Sequence, residues 1–151
     1  MVIREMSKEE CAAFLTRSGG GRLGCALEDQ PYVVPISIAY EEGFVYSFST
    51  LGQKIDWLRA NPKACVQVDD ISSPSTWTSV IATGTFQDLK EPQYEIERAH
   101  ARKLLDRRHQ WWLNALAERH LKSDDELISP IFFRIVVESL SGLTAKGEDP
   151  K

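Results

Sequence analysis

The segment Ser49-Thr50-Leu51-Gly52-Gln53-Lys54 is where the residue types of this chain first suggest chemistry. Two hydroxyls close a β-like run, a glycine permits a tight turn, and a lysine falls in what reads as the first turn of a helix. Free amides and the positive end of the helix dipole favour an anion at such a place. A lysine there is slightly unfavourable on its own, so its placement suggests a bound phosphate. A solvent-facing lysine after an ordinary turn is the competing reading, and the residues alone leave both open.

Other motifs carry less. Gly19-Gly20-Gly21-Arg22-Leu23-Gly24 matches G-x-G-x-x-G. That fingerprint needs a strand before it and a helix after it, and here the order is reversed. The glycines read as a helix stop and a tight start to a strand. His100, His109 and His120 lack i, i+4 spacing, so no metal site is expected. Arg98, Arg102, Lys103, Arg107 and Arg108 are balanced by Glu91, Glu95 and Glu97, and read as a solvated helix face. Trp111-Trp112 beside Leu113 and Leu116 offer more apolar surface than one small helix contact buries, which fits a helix packed on a second protomer. Cys11, Cys25 and Cys65 are odd in number without CxxC, so neither a disulfide framework nor structural zinc is indicated, and inert thiols are expected. Paired carboxylates, a nucleophile elbow and a Cys–His pair are all missing, so no catalytic residue is named.

The chain has 151 residues, with 18 Lys+Arg against 22 Asp+Glu for a net charge of −4. That length suits one domain over 1–151, large enough to bury about 69% of its unfolded surface. Hydrophobic residues at 42% and charged residues at 26% exclude a disordered chain. Mild acidity argues against a nucleic-acid partner. No apolar run approaches the ~18 residues of a membrane span, and MVIREMSKEE lacks a signal peptide's apolar stretch. A small cytoplasmic protein without a membrane partner is expected.

The elements that must position the loop at Ser49–Lys54 follow from periodicity. Ser7-Lys8-Glu9-Glu10 is a capping box, and Cys11, Phe14 and Leu15 form the stripe of a short helix ending at Ser18–Gly21. Strands are expected at Leu23–Leu27, Tyr32–Tyr40, Phe44–Ser49, Ala64–Val68, Trp77–Leu89 and Ile131–Leu140. Gly84 marks a bulge or a close backbone approach. A helix is expected over Gln53–Asn61, and Asp70–Thr76 reads as a loop. Pro92 suits a helix's first turn, with helix from Gln93 to about Lys122 inside an insertion over 91–129. Six short strands with inserted helices predict a mainly β fold, an antiparallel barrel with peripheral helices rather than a doubly wound sheet.

Several short blocks follow one another between Gly21 and Leu89: Gly21-Arg22-Leu23-Gly24, Pro31-Tyr32-Val33-Val34-Pro35-Ile36-Ser37, Gly43-Phe44-Val45-Tyr46, Gly52-Gln53-Lys54, Leu58-Arg59-Ala60-Asn61-Pro62, Val68-Asp69-Asp70, and Trp77-Thr78-Ser79-Val80 with Gly84. By these the chain resembles the pyridoxamine 5′-phosphate oxidase-like family of FMN-binding split barrels, nearest its nitroimidazole-reductase-related branch. The resemblance implies a six-stranded antiparallel split β-barrel that forms a homodimer, with one FMN at each end of the interface. It implies that Val34, Pro35 and Ile36 lie along the isoalloxazine ring and that Ser49 and Thr50 meet the ribityl–phosphate tail. Gln53 and Lys54 would bind the phosphate, and Ser79 would sit near the tail or ring edge. Phe48 stands in this cofactor-binding set where the branch commonly carries a histidine. The chain ends Leu140-Ser141-Gly142-Leu143, where the oxidase proper has a Trp-x-x-Arg-Leu-type signature. The function implied is an FMN-dependent oxidoreductase of a small molecule, with NAD(P)H as a possible donor. The alternatives are a non-catalytic flavin-binding or sensing protein, or the same fold holding deazaflavin or haem.

Overall fold

Eight strands, counted among the described residues, form one antiparallel sheet in the computed structural model, which describes residues 1–106 and 130–147. In chain order the elements are β1 (Val2–Glu5), α1 (Lys8–Arg17), β2 (Gly20–Leu27), β3 (Gln30–Ser37), β4 (Ala39–Glu41), β5 (Phe44–Ser49), α2 (Gln53–Ala60), β6 (Lys63–Ser73), β7 (Thr76–Asp88) and β8 (Ile131–Lys146). A further helix is described over 95–106. The sheet runs β3-β2-β6-β7-β8-β5-β4, with β1 added on β8. Its two ends, β3 and β4, are joined by Ile38 alone, so the sheet must curl until they meet at a corner. There the Ile38 amide donates to the Gly19 carbonyl at 3.1 Å, and the buried Ser47 Oγ donates to the Ser37 carbonyl at 2.6 Å. Neither contact is a ladder. The mainly β split barrel expected from the sequence is the observed fold.

The barrel is filled by alternate residues of its strands, among them Leu23, Val45, Val66, Val80 and Ile135. α2 adds Ile55 and Leu58 to this core, and α1 adds Cys11, Phe14 and Leu15. α1 begins as the capping box predicts. Ser7 Oγ accepts from the Glu10 amide at 3.1 Å, and Glu10 Oε1 accepts from the Ser7 amide at 3.0 Å. Arg4 grips the same carboxylate with bonds of 2.8 and 2.9 Å. Together these hold the Glu10 carboxyl at about 2, well below the usual 4.5.

A second core lies outside the barrel. Ala101 and Leu105 of the helix over 95–106 pack on Tyr46, Phe48, Leu89 and Phe132. β5 is therefore buried on both faces, with Val45 and Ser47 turned into the barrel and Tyr46 and Phe48 turned to the helix. His100 ties the helix to β4 through Glu41 at 2.9 Å.

Several expectations are corrected. Two more strands exist than the six predicted, because β1 pairs with the end of β8 and the Tyr32–Tyr40 run breaks at Ile38 into β3 and β4. Asp70–Thr76 is not a loop. β6 and β7 continue through it, with Asp70 opposite Thr78 and Ile71 opposite Trp77, leaving a turn only at Pro74 and Ser75. Cross-strand pairing overrides the weak β preference of Asp and Ser there. The last strand runs on to Lys146 because β7 and β1 flank it. Residues 91–94 form a turn and the helix starts at 95, not at Pro92 or Gln93. The rest of the expected helix, with Arg107, Arg108, His109, Trp111, Trp112 and His120, lies outside the described residues. Gly84 does mark a close approach. The β7–β8 register shifts beside it, and a Cβ there would lie 2.0 Å from the Val136 carbonyl oxygen. No helix among the described residues is long and apolar enough to cross a membrane.

Candidate functional site

β5 delivers Ser47 and Ser49 on its barrel face, and the chain then passes through Thr50, Leu51 and Gly52 into α2. Gly52 is the N-cap and makes no side-chain cap bond. Its carbonyl accepts from the Asp56 amide at 3.1 Å, so the amides of Gln53, Lys54 and Ile55 have no partner within the helix. Ser49 Oγ donates to the Thr50 carbonyl at 2.9 Å and holds the turn. Lys54 is half-buried at this helix start, and burial alone pushes its ammonium below the ordinary lysine value. Among the described residues no carboxylate pairs with it. Arg59 of the same helix, by contrast, meets Asp88 at 2.9 Å, Arg4 meets Glu10, and Arg98 meets Glu91 at 3.3 Å. A desolvated cation without a counter-charge is costly in a free protein and becomes favourable when an anion arrives. Uncapped amides beside it make this helix start a candidate anion mouth.

The neighbouring surface is β3. Among the described residues the sheet order leaves one of its edges outside any ladder, and the Ser47–Ser37 bond fixes its end against β5. Ile36 is buried, Val34 half-buried and Pro35 exposed, paired with Gly21, Leu23 and Arg22 of β2. An apolar edge carrying free backbone groups therefore lies against the strand that leads to the anion mouth. A flat, partly polar ring suits such an edge.

Of the residues singled out from the sequence, Ser49, Thr50, Gln53 and Lys54 are gathered by one turn, with Val34, Pro35 and Ile36 on the adjoining strand. Phe48 is not with them. Its ring lies against Phe132 in the second core, on the opposite face of β5 from Ser47 and Ser49. The alternation along β5 was legible in the sequence, but which face the helix over 95–106 would cover was not. Ser79 also lies apart, on the outer face of β7, where its hydroxyl accepts from Gln67 Nε2 at 3.2 Å. It lines an open groove of about 600 Å³ with Glu5, Lys8, Ile81, Leu140 and Leu143. Beside Ser79 runs a network absent from the sequence reading. Arg22 donates to Asp69 at 3.0 Å and to Gln67 at 3.2 Å, and Gln67 donates to Asp69 at 2.9 Å. Three strands contribute, and only their register brings the side chains together. The conspicuous Gly21-Arg22 and Val68-Asp69 blocks were the available signal.

All three cysteines are free thiols. Burial raises the Cys11 and Cys25 values above the ordinary thiol range. Among the described residues no three His, Cys, Asp or Glu side chains gather as a metal site.

A sequence profile described as pyridoxamine 5′-phosphate oxidase matches residues 7–144. An uncharacterized protein of Rhizobium meliloti strain 1021 is 37% identical over 146 residues, covering 96% of this chain and 97% of its own. A FAD-binding protein from Mesorhizobium loti, known from a crystal structure, is 36% identical and superposes with a TM-score of 0.78, covering 97% of this chain and 99% of its own. A structure from Bacteroides thetaiotaomicron, named for 5-nitroimidazole antibiotic resistance, covers 95% of this chain and 89% of its own at 17% identity and a TM-score of 0.67, and shares the fold.

Proposed function

The chain belongs to the pyridoxamine 5′-phosphate oxidase family, and on that premise we propose that it binds a phosphate-bearing flavin and uses it to oxidise or reduce a small molecule. The observation that carries this is the half-buried Lys54 at the uncapped start of α2, without a carboxylate partner among the described residues. The residues present fit the group. The Lys54 ammonium, the amides of Gln53 to Ile55 and the Thr50 hydroxyl would hold the phosphate, with Ser49 bracing the turn. The β3 edge at Val34, Pro35 and Ile36 would carry the isoalloxazine ring, its backbone groups meeting the ring's polar rim. Phe48 acts at one remove, packing β5 against the helix over 95–106 so that Ser49 is held in place. A bound flavin would supply hydride or electron transfer, and the protein's contribution is orientation and electrostatics. NAD(P)H is the proposed donor. FMN is the smallest ligand of this class, and the Mesorhizobium relative, a FAD-binding protein, brings FAD into it.

Ser79 enters this reading through a second copy of the chain. Ile81 and Leu143, which line its groove, are 41 and 43% exposed, an apolar face that a homodimer would cover. The partner's Ser79 would then approach the tail or ring edge. A species of 17.1 kDa in sedimentation at micromolar concentration, still binding flavin, would refute the dimer.

The test is a visible spectrum of the purified chain, followed by reconstitution with riboflavin, FMN and FAD. Paired flavin bands support the proposal; a single deazaflavin band or a Soret band replaces it with another ligand. Reduction by NADH or NADPH and turnover with an electron acceptor separate an oxidoreductase from a flavin-binding sensor.

A further inference from the structure

Resting on the proposed flavin site and its dimer, we propose that the substrate is an uncharged flat ring carrying oxygen substituents, held in the groove beside Ser79, and that phosphate esters are disfavoured there. Strand register builds the floor of this groove. Ser79 of β7 lies opposite Leu143 of β8, which in turn lies opposite Glu5 of β1, and one step along the same face Ile81 lies opposite Ser141. Serine and aliphatic side chains therefore alternate in both directions, with Ser79 and Ser141 on one diagonal and Ile81 and Leu143 on the other. Diagonal neighbours on a sheet lie about 7–8 Å apart, within reach of opposite sides of one ring. The partly exposed Ile81 and Leu143 offer apolar surface to the ring's face. The hydroxyls serve its edge. Ser79 Oγ accepts from Gln67 Nε2, which leaves its own proton to donate to a ligand oxygen. At about 600 Å³ the groove falls within the size range of small-molecule sites. In the proposed dimer Ser79 approaches the partner's flavin, so the groove it lines is the space a substrate would occupy beside the ring.

Charge decides what kind of ring fits. Glu5 and Lys8 are the charged residues that line the groove, and their charges sum to zero. Arg4 of β1 and Arg22 of the network around Ser79 are already engaged, the first with Glu10 at 2.8 and 2.9 Å and the second with Asp69 at 3.0 Å. A phosphate monoester is largely a dianion above a pKa of about 6. It would meet one lysine opposed by a glutamate, and would lose hydration without gaining a matched cation pair. An uncharged ring gives up little hydration and gains apolar contact.

A matched pair of probes tests this: naphthol and naphthyl phosphate share a ring system and differ in the phosphate. Each is titrated calorimetrically into the flavin-loaded full chain at about pH 7.5, where the phosphate is largely dianionic, while the visible flavin bands are followed in parallel. Naphthol should bind at least about tenfold more tightly than naphthyl phosphate and should perturb the flavin bands. Leu143→Lys places a second cation in the groove at an exposed position. It should reverse the order, raising the affinity for naphthyl phosphate about tenfold and lowering that for naphthol about threefold. Ser141→Ala should weaken naphthol about two- to fivefold. Naphthyl phosphate binding as tightly as naphthol overturns the inference and leaves the flavin site standing. Naphthol binding that is indifferent to both substitutions, or binding of neither probe, does the same. A chain that takes up no flavin overturns the proposed function instead, and that result is read before either probe is added.

Discussion

Replacing Lys54 by alanine tests the site most directly. The ammonium is half-buried, has no carboxylate partner among the described residues and sits where three amides have no partner within the helix. A charge-assisted contact to phosphate at such a place contributes roughly 1.5–3 kcal/mol. Lys54→Ala should therefore raise the Kd of a phosphate-bearing flavin about tenfold to a hundredfold. Riboflavin has no phosphate, so its weaker binding should change less than about twofold. Thermal melts give an independent reading. Ligand at a hundredfold excess over Kd adds about 2.7 kcal/mol, and after a thirtyfold loss of affinity the same concentration adds only about 0.9 kcal/mol. The ligand-induced rise in Tm should shrink to roughly a third. Without ligand the sign reverses. Lys54 has a folded pKa lowered below the ordinary 10.5, so the folded state binds that proton less tightly than the unfolded state. The ammonium is then a cost to stability at neutral pH, a cost relieved as pH rises through the lowered pKa toward 10.5. The ligand-free Lys54→Met protein should accordingly be at least as stable as the parent at neutral pH. Equal losses for riboflavin and its phosphates would mean general damage. No loss for any of them would make Lys54 a surface lysine after an ordinary turn.

Other outcomes follow from the fold. Gly84→Ala would force a Cβ to within 2.0 Å of the Val136 oxygen and should cost about 3 kcal/mol, read from the urea midpoint; a change below about 0.5 kcal/mol refutes the close approach. Glu10 has a folded value near 2 against 4.5 for the free group, so its contribution is present above 4.5 and is lost as pH falls toward 2. The Tm gap between the parent and Glu10→Gln should be full at neutral pH and close across that window, and a gap that persists below it contradicts the assignment. Cys11 and Cys25 are buried with raised pKa values, so a thiol reagent should modify Cys65 first in the folded protein. Cys25→Ser and Cys65→Ser should retain any flavin-dependent turnover, and abolished turnover in a folded variant would place a thiol in the chemistry.

Features set by neighbours along the chain were determined by the sequence itself. Ser7 and Glu10 cap α1 because they are three residues apart and need nothing else. Likewise, the succession of hydroxyls, glycine and lysine builds the candidate anion mouth from one turn, so Ser49, Thr50, Gln53 and Lys54 could be grouped before any strand was paired. The family resemblance added β3, since Val34, Pro35 and Ile36 have no local feature that would propose them as a ring-binding edge. Tertiary structure decided what depends on register. Asp70–Ser73 is strand because β7 lies opposite, and β1 is strand because β8 extends to meet it. The Arg22–Gln67–Asp69–Ser79 network exists only because β2, β6 and β7 align those positions. A period of two along β5 says that Phe48 and Ser49 face opposite ways, but not which of them looks into the barrel. That choice was made by the helix over 95–106, whose Ala101 and Leu105 cover Tyr46 and Phe48 and leave Ser47 and Ser49 to the barrel side. Hydrophobic alternation fixes two faces with equal force, and only the packing of a distant segment distinguishes them.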